Sequence, residues 1–434
     1  MAKMSANQKI LLLDLYPSFS RPYIQPYLYL GAFFDSLHVE YELYRWRDDE
    51  EELVARIAQG EFGFVFINLI MGPVLGLVEP VCRLIKRSHP AVQIWVGGIA
   101  VVYIRDLLER CPYIDRVSAG HPLRDPVTFA GELGEFGILN DLPSQVGFPL
   151  LVTNENIGAF IHQHLRGDRP INAINMSTAS KCLHRCTFCY LSRAREWEQP
   201  LDRLFEDLSA LQEQCDVRYF EFADDNFPAD RPRLRSFCTR VRRSGLDISY
   251  FCLASIDVLD AETLELMVES GLKRLFIGVD AIHPVHIRRL NKNYTPQEIF
   301  KTLDLVRSYP IDLTLSVVLG CPGETREQVQ ELYDWVRSIE PEFCYAPFLA
   351  PYPQTPVCRQ AVELGFRLPD SLDGWATVAD LGKPKPLLNP GIEADEYLEW
   401  KKRFNALATY RYRSDIGESL RRLKRAQGPS FPRL

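Results

Sequence analysis

Along this chain, short runs of β-branched and aromatic residues alternate with stretches whose apolar positions recur every third or fourth residue, the pattern of strands separated by amphipathic helices. Lys9–Asp14, Val39–Trp46, Phe64–Leu69, Gln93–Val96 and Asp115–Ser118 read as strands. Their alternation with helical stretches predicts a doubly wound α/β domain over 1–135, with a ligand site beyond the carboxyl ends of its strands. Those ends carry Tyr16-Pro17-Ser18, Asn68-Leu69-Ile70-Met71, Gly97-Gly98 and Gly120-His121-Pro122, where glycine lets a ligand approach the backbone closely. The less regular segment 136–169 reads as a linker. A second alternation follows, with strands near 171–177, 217–223, 248–254, 273–279, 311–319 and 343–349. Helices are expected over Asp202–Cys215, Ala261–Ser270, Pro296–Ser308 and Arg326–Ile339, with Asp260 and Thr295 as N-caps. Six βα units over 170–357 make an incomplete barrel, whose chemistry belongs on the loops after the strands. A tail over 358–434 is mostly helical, with Ala394–Tyr410 its best stretch, and carries Arg421, Arg422, Lys424 and Arg425.

Composition narrows the function. A chain of 434 residues exceeds one hydrophobic core. Its net charge of −7 and lack of a long Lys/Arg block disfavour nucleic-acid substrates. Met1–Lys9 has no apolar core of a signal peptide. The apolar stretch Phe62–Val78 is broken by Asn68, Gly72, Pro73 and Gly76, so no membrane span is expected. The eleven cysteines form no disulfide-like framework, which points to a reducing compartment, the cytoplasm.

Three of those cysteines stand apart. Lys181-Cys182-Leu183-His184-Arg185-Cys186-Thr187-Phe188-Cys189-Tyr190 follows the first expected barrel strand and gathers three thiols in one loop. Eleven cysteines placed at random in 434 residues give about 0.007 occurrences of this spacing. Three thiolates on a cubic cluster leave one iron open. The competing readings are a zinc site, with His184 adjacent, or buried thiols; a zinc module usually closes with a second Cys-x-x-Cys pair, which is absent. Cys215, Cys238, Cys252, Cys344 and Cys358 show no ligand spacing, so no auxiliary cluster is expected.

The C-x-x-x-C-x-x-C triad with an aromatic before its last cysteine resembles the signature of the radical S-adenosylmethionine (SAM) superfamily. Phe222-Ala223-Asp224-Asp225-Asn226-Phe227, Leu290-Asn291-Lys292, Gly320–Thr325 and Pro351–Pro356 resemble its later segments. Tyr16–Phe34, Val96-Gly97-Gly98 and the Cys111-Pro112 to Gly120 stretch resemble the cobalamin-binding domains fused to such barrels in one subgroup. The implied α/β fold is an N-terminal flavodoxin/Rossmann-like domain, a partial six-stranded (β/α)6 barrel and a small helical tail.

The resemblance implies a 4Fe-4S cluster on Cys182, Cys186 and Cys189, with SAM on its open iron. Phe188 and Tyr190 would shield the cluster and help position the adenine, or simply pack locally. Asp224 and Asp225 would accept bonds from the cofactor's ammonium or ribose, or cap the following loop. Asp280 stands where relatives often have Glu. Arg288 would pair with the cofactor's carboxylate, or belong to a solvated helix face. Ser316 and Gly320 would approach the adenosyl group. Cys321 is either a catalytic thiol or a small buried residue.

Pro17, Leu69, Met71, Gly97, Gly98 and Gly120 would cradle cobalamin, without the Asp-x-His-x-x-Gly motif of an axial histidine, unless the domain only supports the barrel. The implied reaction is reductive cleavage of SAM to a deoxyadenosyl radical, then cobalamin-dependent C-methylation of a small biosynthetic intermediate. Cyclisation, rearrangement or oxidation without methyl transfer, and a non-catalytic cobalamin-binding protein, are the alternatives. A flavodoxin or ferredoxin-type electron donor is implied as partner; the oligomeric state is not legible.

Overall fold

The structure is a computed structural model that describes residues 9–15, 25–46, 48–118, 125–135, 138, 173–191, 197–385, 388–389, 391–411 and 413–414. Pro17, Gly120, nearly all of the expected linker and the basic tail residues lie outside the described residues. The chain divides into two units. One comprises Met1–Arg166, Ala194–Cys215 and Pro369–Ala379; the other comprises Gly167–Arg193, Asp216–Leu368 and Asp380–Leu434.

In the first unit, β1 (Lys9–Asp14), β2 (Tyr41–Arg45), β3 (Phe62–Asn68), β4 (Gln93–Gly97) and β5 (Arg116–Val117) form one sheet in the order β2-β1-β3-β4-β5. All its pairs are parallel. This is the flavodoxin-like doubly wound order that the sequence pattern left open. The helices between strands are α1 (Gln25–Ser36), α2 (Glu50–Gly60), α3 (Leu75–Ser88) and α4 (Val101–Arg110), followed by α5 (Pro126–Glu135). Ile10–Leu13 and Phe64–Ile67 are continuously buried, as strands covered on both faces must be. The order reverses between β1 and β3. There the Tyr27 hydroxyl donates to the Leu13 carbonyl at 2.8 Å and accepts from the Asn68 N–H at 3.2 Å, stitching the two strand ends.

In the second unit, β6 (Ala173–Met176), β7 (Tyr219–Phe222), β8 (Ser249–Ala254), β9 (Leu272–Asp280), β10 (Asp312–Val317) and β11 (Phe343–Tyr345) form a six-stranded parallel sheet in sequential order. After β6 the chain runs through α6 (Leu201–Cys215), which groups with the first unit. The helices grouped with the second unit are α7 (Arg231–Ser244), α8 (Ala261–Glu269), α9 (Pro284–Arg289), α10 (Pro296–Arg307), α11 (Arg326–Ile339) and α12 (Pro356–Glu363). α13 (Leu372–Val378) groups with the first unit and α14 (Ala394–Asn405) with the second.

Asp260 and Thr295 cap α8 and α10 as expected, Thr295 in a full capping box with Glu298. The helix expected to reach Tyr410 ends at Asn405. The chain then turns to the amino ends of β10 and β11: Thr409 and Tyr410 donate to the Pro341 and Glu342 carbonyls, and the Ser414 N–H and hydroxyl bind the buried Asp312 carboxylate. Those long-range partners compete with helix continuation. Phe222, Phe227, Phe237 and Tyr250 pack α7 onto β7 and β8, with ring centroids 5.0–5.9 Å apart. That packing fixes the helical face of the sheet and leaves the loops after the strands to carry chemistry.

Candidate cluster and cofactor site

The three thiols lie on the loop that leaves β6, a stretch without regular structure from Lys181 to Cys186. All three are half-buried, whereas seven of the other eight cysteines are buried. The loop is held by its neighbours. Lys181 pairs with Asp230 at 2.7 Å. The Thr187 N–H and hydroxyl donate to the Leu290 and Arg289 carbonyls at 3.1 and 2.9 Å. Asn291 donates to the Arg185 carbonyl at 2.8 Å, and the Val357 N–H to the Thr187 carbonyl at 3.2 Å. The Leu290-Asn291-Lys292 segment is therefore a clasp on the cysteine loop. Asn291 adopts a positive φ of 54° to make it, a conformation that asparagine tolerates better than most residues.

Burial pushes the Cys182 thiol above its ordinary pKa, opposed by the His184 backbone N–H that donates to its sulfur. Burial also raises Cys186, opposed by the positive charge of the Lys292 ammonium. Donors aimed at sulfur are what an iron–sulfur ligand set requires. Among the described residues no three His, Cys, Asp or Glu side chains converge as ligands of a single ion do. Three thiolates on a cubic cluster bind three different irons and need no common point.

Lys292 also forms an ion pair with Asp280, both side chains about nine-tenths buried, and its ammonium lies 5.6 Å from the Phe188 ring centroid. Burial works to lower the Lys292 pKa, but Asp280, Tyr294 and Cys186 together outweigh it and hold the ammonium well above the ordinary lysine value. Asp280, expected to face the cofactor, is thus occupied by Lys292. Arg288 is exposed on α9, while its neighbour Arg289 reaches the Pro322 carbonyl.

The carboxylate of Asp224 accepts from the Thr178 N–H and hydroxyl, tying the end of β7 to the end of β6. Burial raises its pKa to about 6. Asp225 is less buried, accepts from Ser180 at 3.3 Å and is pushed up by burial. Both carboxylates therefore meet the strand-to-loop turn that precedes the thiols. Sequence reasoning passed over the next group. Buried His184 places Nε2 3.0 Å from the Ser255 hydroxyl and 3.2 Å from Asp257, and Asn226 donates to Ser255 at 2.9 Å. Burial opposes ionisation of Asp257, but hydrogen bonds from His184 and Ser255 hold its pKa below the ordinary value. The signal was His184 inside the triad; its partners sit 71 and 73 residues away in a different loop.

Tyr190 packs on Tyr352 at 4.7 Å between ring centroids. Ser316 is buried on β10, in register with Gly278. In the turn that follows, Gly320 has φ 83°, and among the described residues nothing stands within 4 Å of where a Cβ would be. The turn is closed by Glu324, whose carboxylate accepts from the Gly320 N–H at 2.8 Å and the Tyr397 hydroxyl at 3.1 Å. Asn389 bridges the same turn through Cys321 and Glu324. Cys321 is 1% exposed, its thiol directed at the Val318 carbonyl.

Burial raises the Glu324 pKa to about 7 from 4.5. A carboxyl raised in the folded state stabilises most below its unfolded value, and that contribution is lost as pH rises through 4.5 to 7. Glu324→Gln keeps an acceptor for both donors without a charge. It is expected to gain stability relative to the parent on going from pH 4.5 to 8, by up to about 3 kcal/mol, in denaturant titrations at the two pH values.

In the first unit, Leu69 and Met71 are buried at the end of β3. The Leu69 N–H donates to the Gly97 carbonyl at 2.8 Å, and its carbonyl accepts from the Ala100 N–H at 3.1 Å. Gly98 has φ 93°, and a Cβ there would stand 2.5 Å from the Leu69 carbonyl oxygen, so the turn admits only glycine. Gly97 is half-exposed, and among the described residues its missing Cβ would meet only Ser118, at 3.8 Å. Among the described residues, the carboxyl end of β4 is therefore an open backbone ledge.

Residues 176–336 match the Radical SAM superfamily. The chain carries a radical SAM domain. The matched stretch holds Cys182, Cys186 and Cys189, and the family it matches implies a 4Fe-4S cluster and SAM. An uncharacterized methyltransferase of Pyrococcus horikoshii is 23% identical over 329 residues, 70% of this chain and 71% of the relative. The radical SAM methyltransferase TsrM from Kitasatospora setae, solved with cobalamin and a [4Fe-4S] cluster, shares the fold with a TM-score of 0.68 at 16% identity, over 92% of this chain and 91% of TsrM. The cobalamin-dependent SAM radical enzyme OxsB, solved with aqua-cobalamin, gives a TM-score of 0.61 at 13% identity over 97% of this chain, which spans 62% of OxsB. Among the described residues no helix is long and apolar enough to cross a membrane.

Proposed function

We propose that this radical SAM enzyme is a cobalamin-dependent methyltransferase acting on a carbon of a small biosynthetic intermediate. The observation that carries the reading is the joining, in one chain, of a 2-1-3-4-5 doubly wound sheet to a six-stranded parallel sheet whose first loop bears the cysteine triad. TsrM, which shares that arrangement, is a methyltransferase solved with a tryptophan substrate, which favours a small molecule here as well.

Cys182, Cys186 and Cys189 would hold the cluster, and the strand ends at Leu69, Met71, Gly97 and Gly98 would hold cobalamin, together with Pro17 and Gly120. When bound, the cluster supplies the electron that opens SAM to a deoxyadenosyl radical, and the corrin supplies the methyl group. The chain's own residues would supply position and exclusion of water: Phe188 and Tyr190 would shield the cluster, Asp225 would stand as acceptor beside the thiol loop, and Ser316 and Gly320 would approach the adenosyl group. Cys321 enters as a hydrogen-atom donor only if its turn opens. A flavodoxin or ferredoxin-type protein would deliver the electron.

One observation favours a second reading, radical chemistry without methyl transfer. Gly98 is already required by its own contact with Leu69, so the glycine pair is no independent sign of a corrin. Anaerobic reconstitution with iron, sulfide and hydroxocobalamin separates the two. About four irons and one cobalt per chain, with S-adenosylhomocysteine released in the presence of methyl acceptor, is the expected result. Iron without cobalt, and no S-adenosylhomocysteine, would leave the second reading standing.

A further inference from the structure

We infer that Lys292, held in place by Asp280, is a positioning residue that sets the electron affinity of the cluster through the Cys186 thiolate. The inference rests on the cluster assignment and adds to it a role for a residue that no thiol spacing reveals.

Three observations converge. The Lys292 ammonium stands over the Phe188 ring, 5.6 Å from its centroid, and favours the thiolate of Cys186, so a fixed positive charge acts on one ligand and lies along the aromatic that precedes another. Its counter-ion is placed by a backbone irregularity. The β9–β10 register shifts between Gly278 and Asp280, Asp280 takes a φ of 62°, and its carbonyl accepts from the Val318 N–H at 2.9 Å. A bulge of this kind re-aims a side chain, and a left-handed aspartate carries backbone strain that regular pairing would have spared. On the other side, the left-handed Asn291 turns the chain so that residue 292 follows the clasp on Arg185. Two strained residues thus bracket one buried ion pair beside a thiolate.

A buried pair contributes little net stability against apolar residues of the same volume, so strain spent to build one calls for another purpose. A cation at the sulfur favours the cluster state with the additional electron, and Asp280 opposes that effect from farther off. The two partners should therefore act in opposite directions.

The test is a redox titration of reconstituted full-length Lys292→Met, Lys292→Arg and Asp280→Asn proteins, followed by the electron paramagnetic resonance of the reduced cluster. At the parent's midpoint, Lys292→Met is expected to lower the ratio of reduced to oxidised cluster about tenfold, which is about 59 mV for one electron. Lys292→Arg should stay within about twofold, and Asp280→Asn should raise the ratio. Should Lys292→Met fail to fold, the arginine and asparagine variants decide alone. Unshifted potentials, or shifts of Lys292→Met and Asp280→Asn in the same direction, would overturn the inference and leave the pair as a structural clasp. A parent that takes up no iron would instead refute the cluster assignment.

Discussion

Cys186→Ala protein, reconstituted anaerobically, is expected to retain fewer than about one iron per chain where the parent holds about four, and to lose reductive SAM cleavage by roughly a thousandfold or more. Removing one thiolate opens a second iron, and a cluster held by only two thiolates is readily lost. The fold should not follow. Cys186 is half-buried in a loop whose anchors are its neighbours Lys181, Arg185 and Thr187, so stability should change by no more than about 0.5 kcal/mol. Cys215→Ala is the matched control: it removes a buried thiol from α6 and should keep its full iron. Iron counts and the visible absorption of the cluster decide it. A Cys186→Ala protein with four irons would remove the cluster from this loop.

Gly98→Ala is expected to destabilise the first unit by roughly 3 kcal/mol or more. A left-handed alanine costs about 1–2 kcal/mol, and relieving a Cβ that would stand 2.5 Å from the Leu69 carbonyl oxygen adds about 1–3 kcal/mol of displaced backbone. In calorimetry this should appear as a fall of about 6–12 °C in the melting temperature of that unit. Gly97→Ala is the contrast, because among the described residues its added methyl meets only Ser118, at 3.8 Å. It should melt with the parent yet bind hydroxocobalamin less tightly if the ledge at β4 receives the corrin. Equal melting of both alanine variants would show that the turn at Gly98 is looser than its geometry.

The site was legible in part. Cys182, Cys186 and Cys189 announced themselves because a short loop needs no tertiary structure to bring thiols together. Asp224 and Asp225 were legible as strand-end carboxylates, but their partners Thr178 and Ser180 were not, since these follow a strand more than forty residues earlier. Asp280 was read toward the cofactor; the structure turns it to Lys292, and only a bulge, which has no pattern in sequence, produces that turn. Glu324 looked like part of a proline-glycine turn. That it is a buried acid closing the turn follows from Asn389 and Tyr397, which arrive from the tail.

By itself, the sequence determined the strands, the helix caps and the thiol loop, because continuous apolar burial, side-chain capping within three residues and close cysteine spacing are all local. The order of the strands in the first unit, the clasp of Leu290-Asn291-Lys292 on the cysteines, the return of Ser414 to Asp312 and the pairing of His184 with Asp257 were decided only by the tertiary structure. Each joins groups distant along the chain, and which partners meet depends on sheet register and on helices packing over it, so no single segment carries the information.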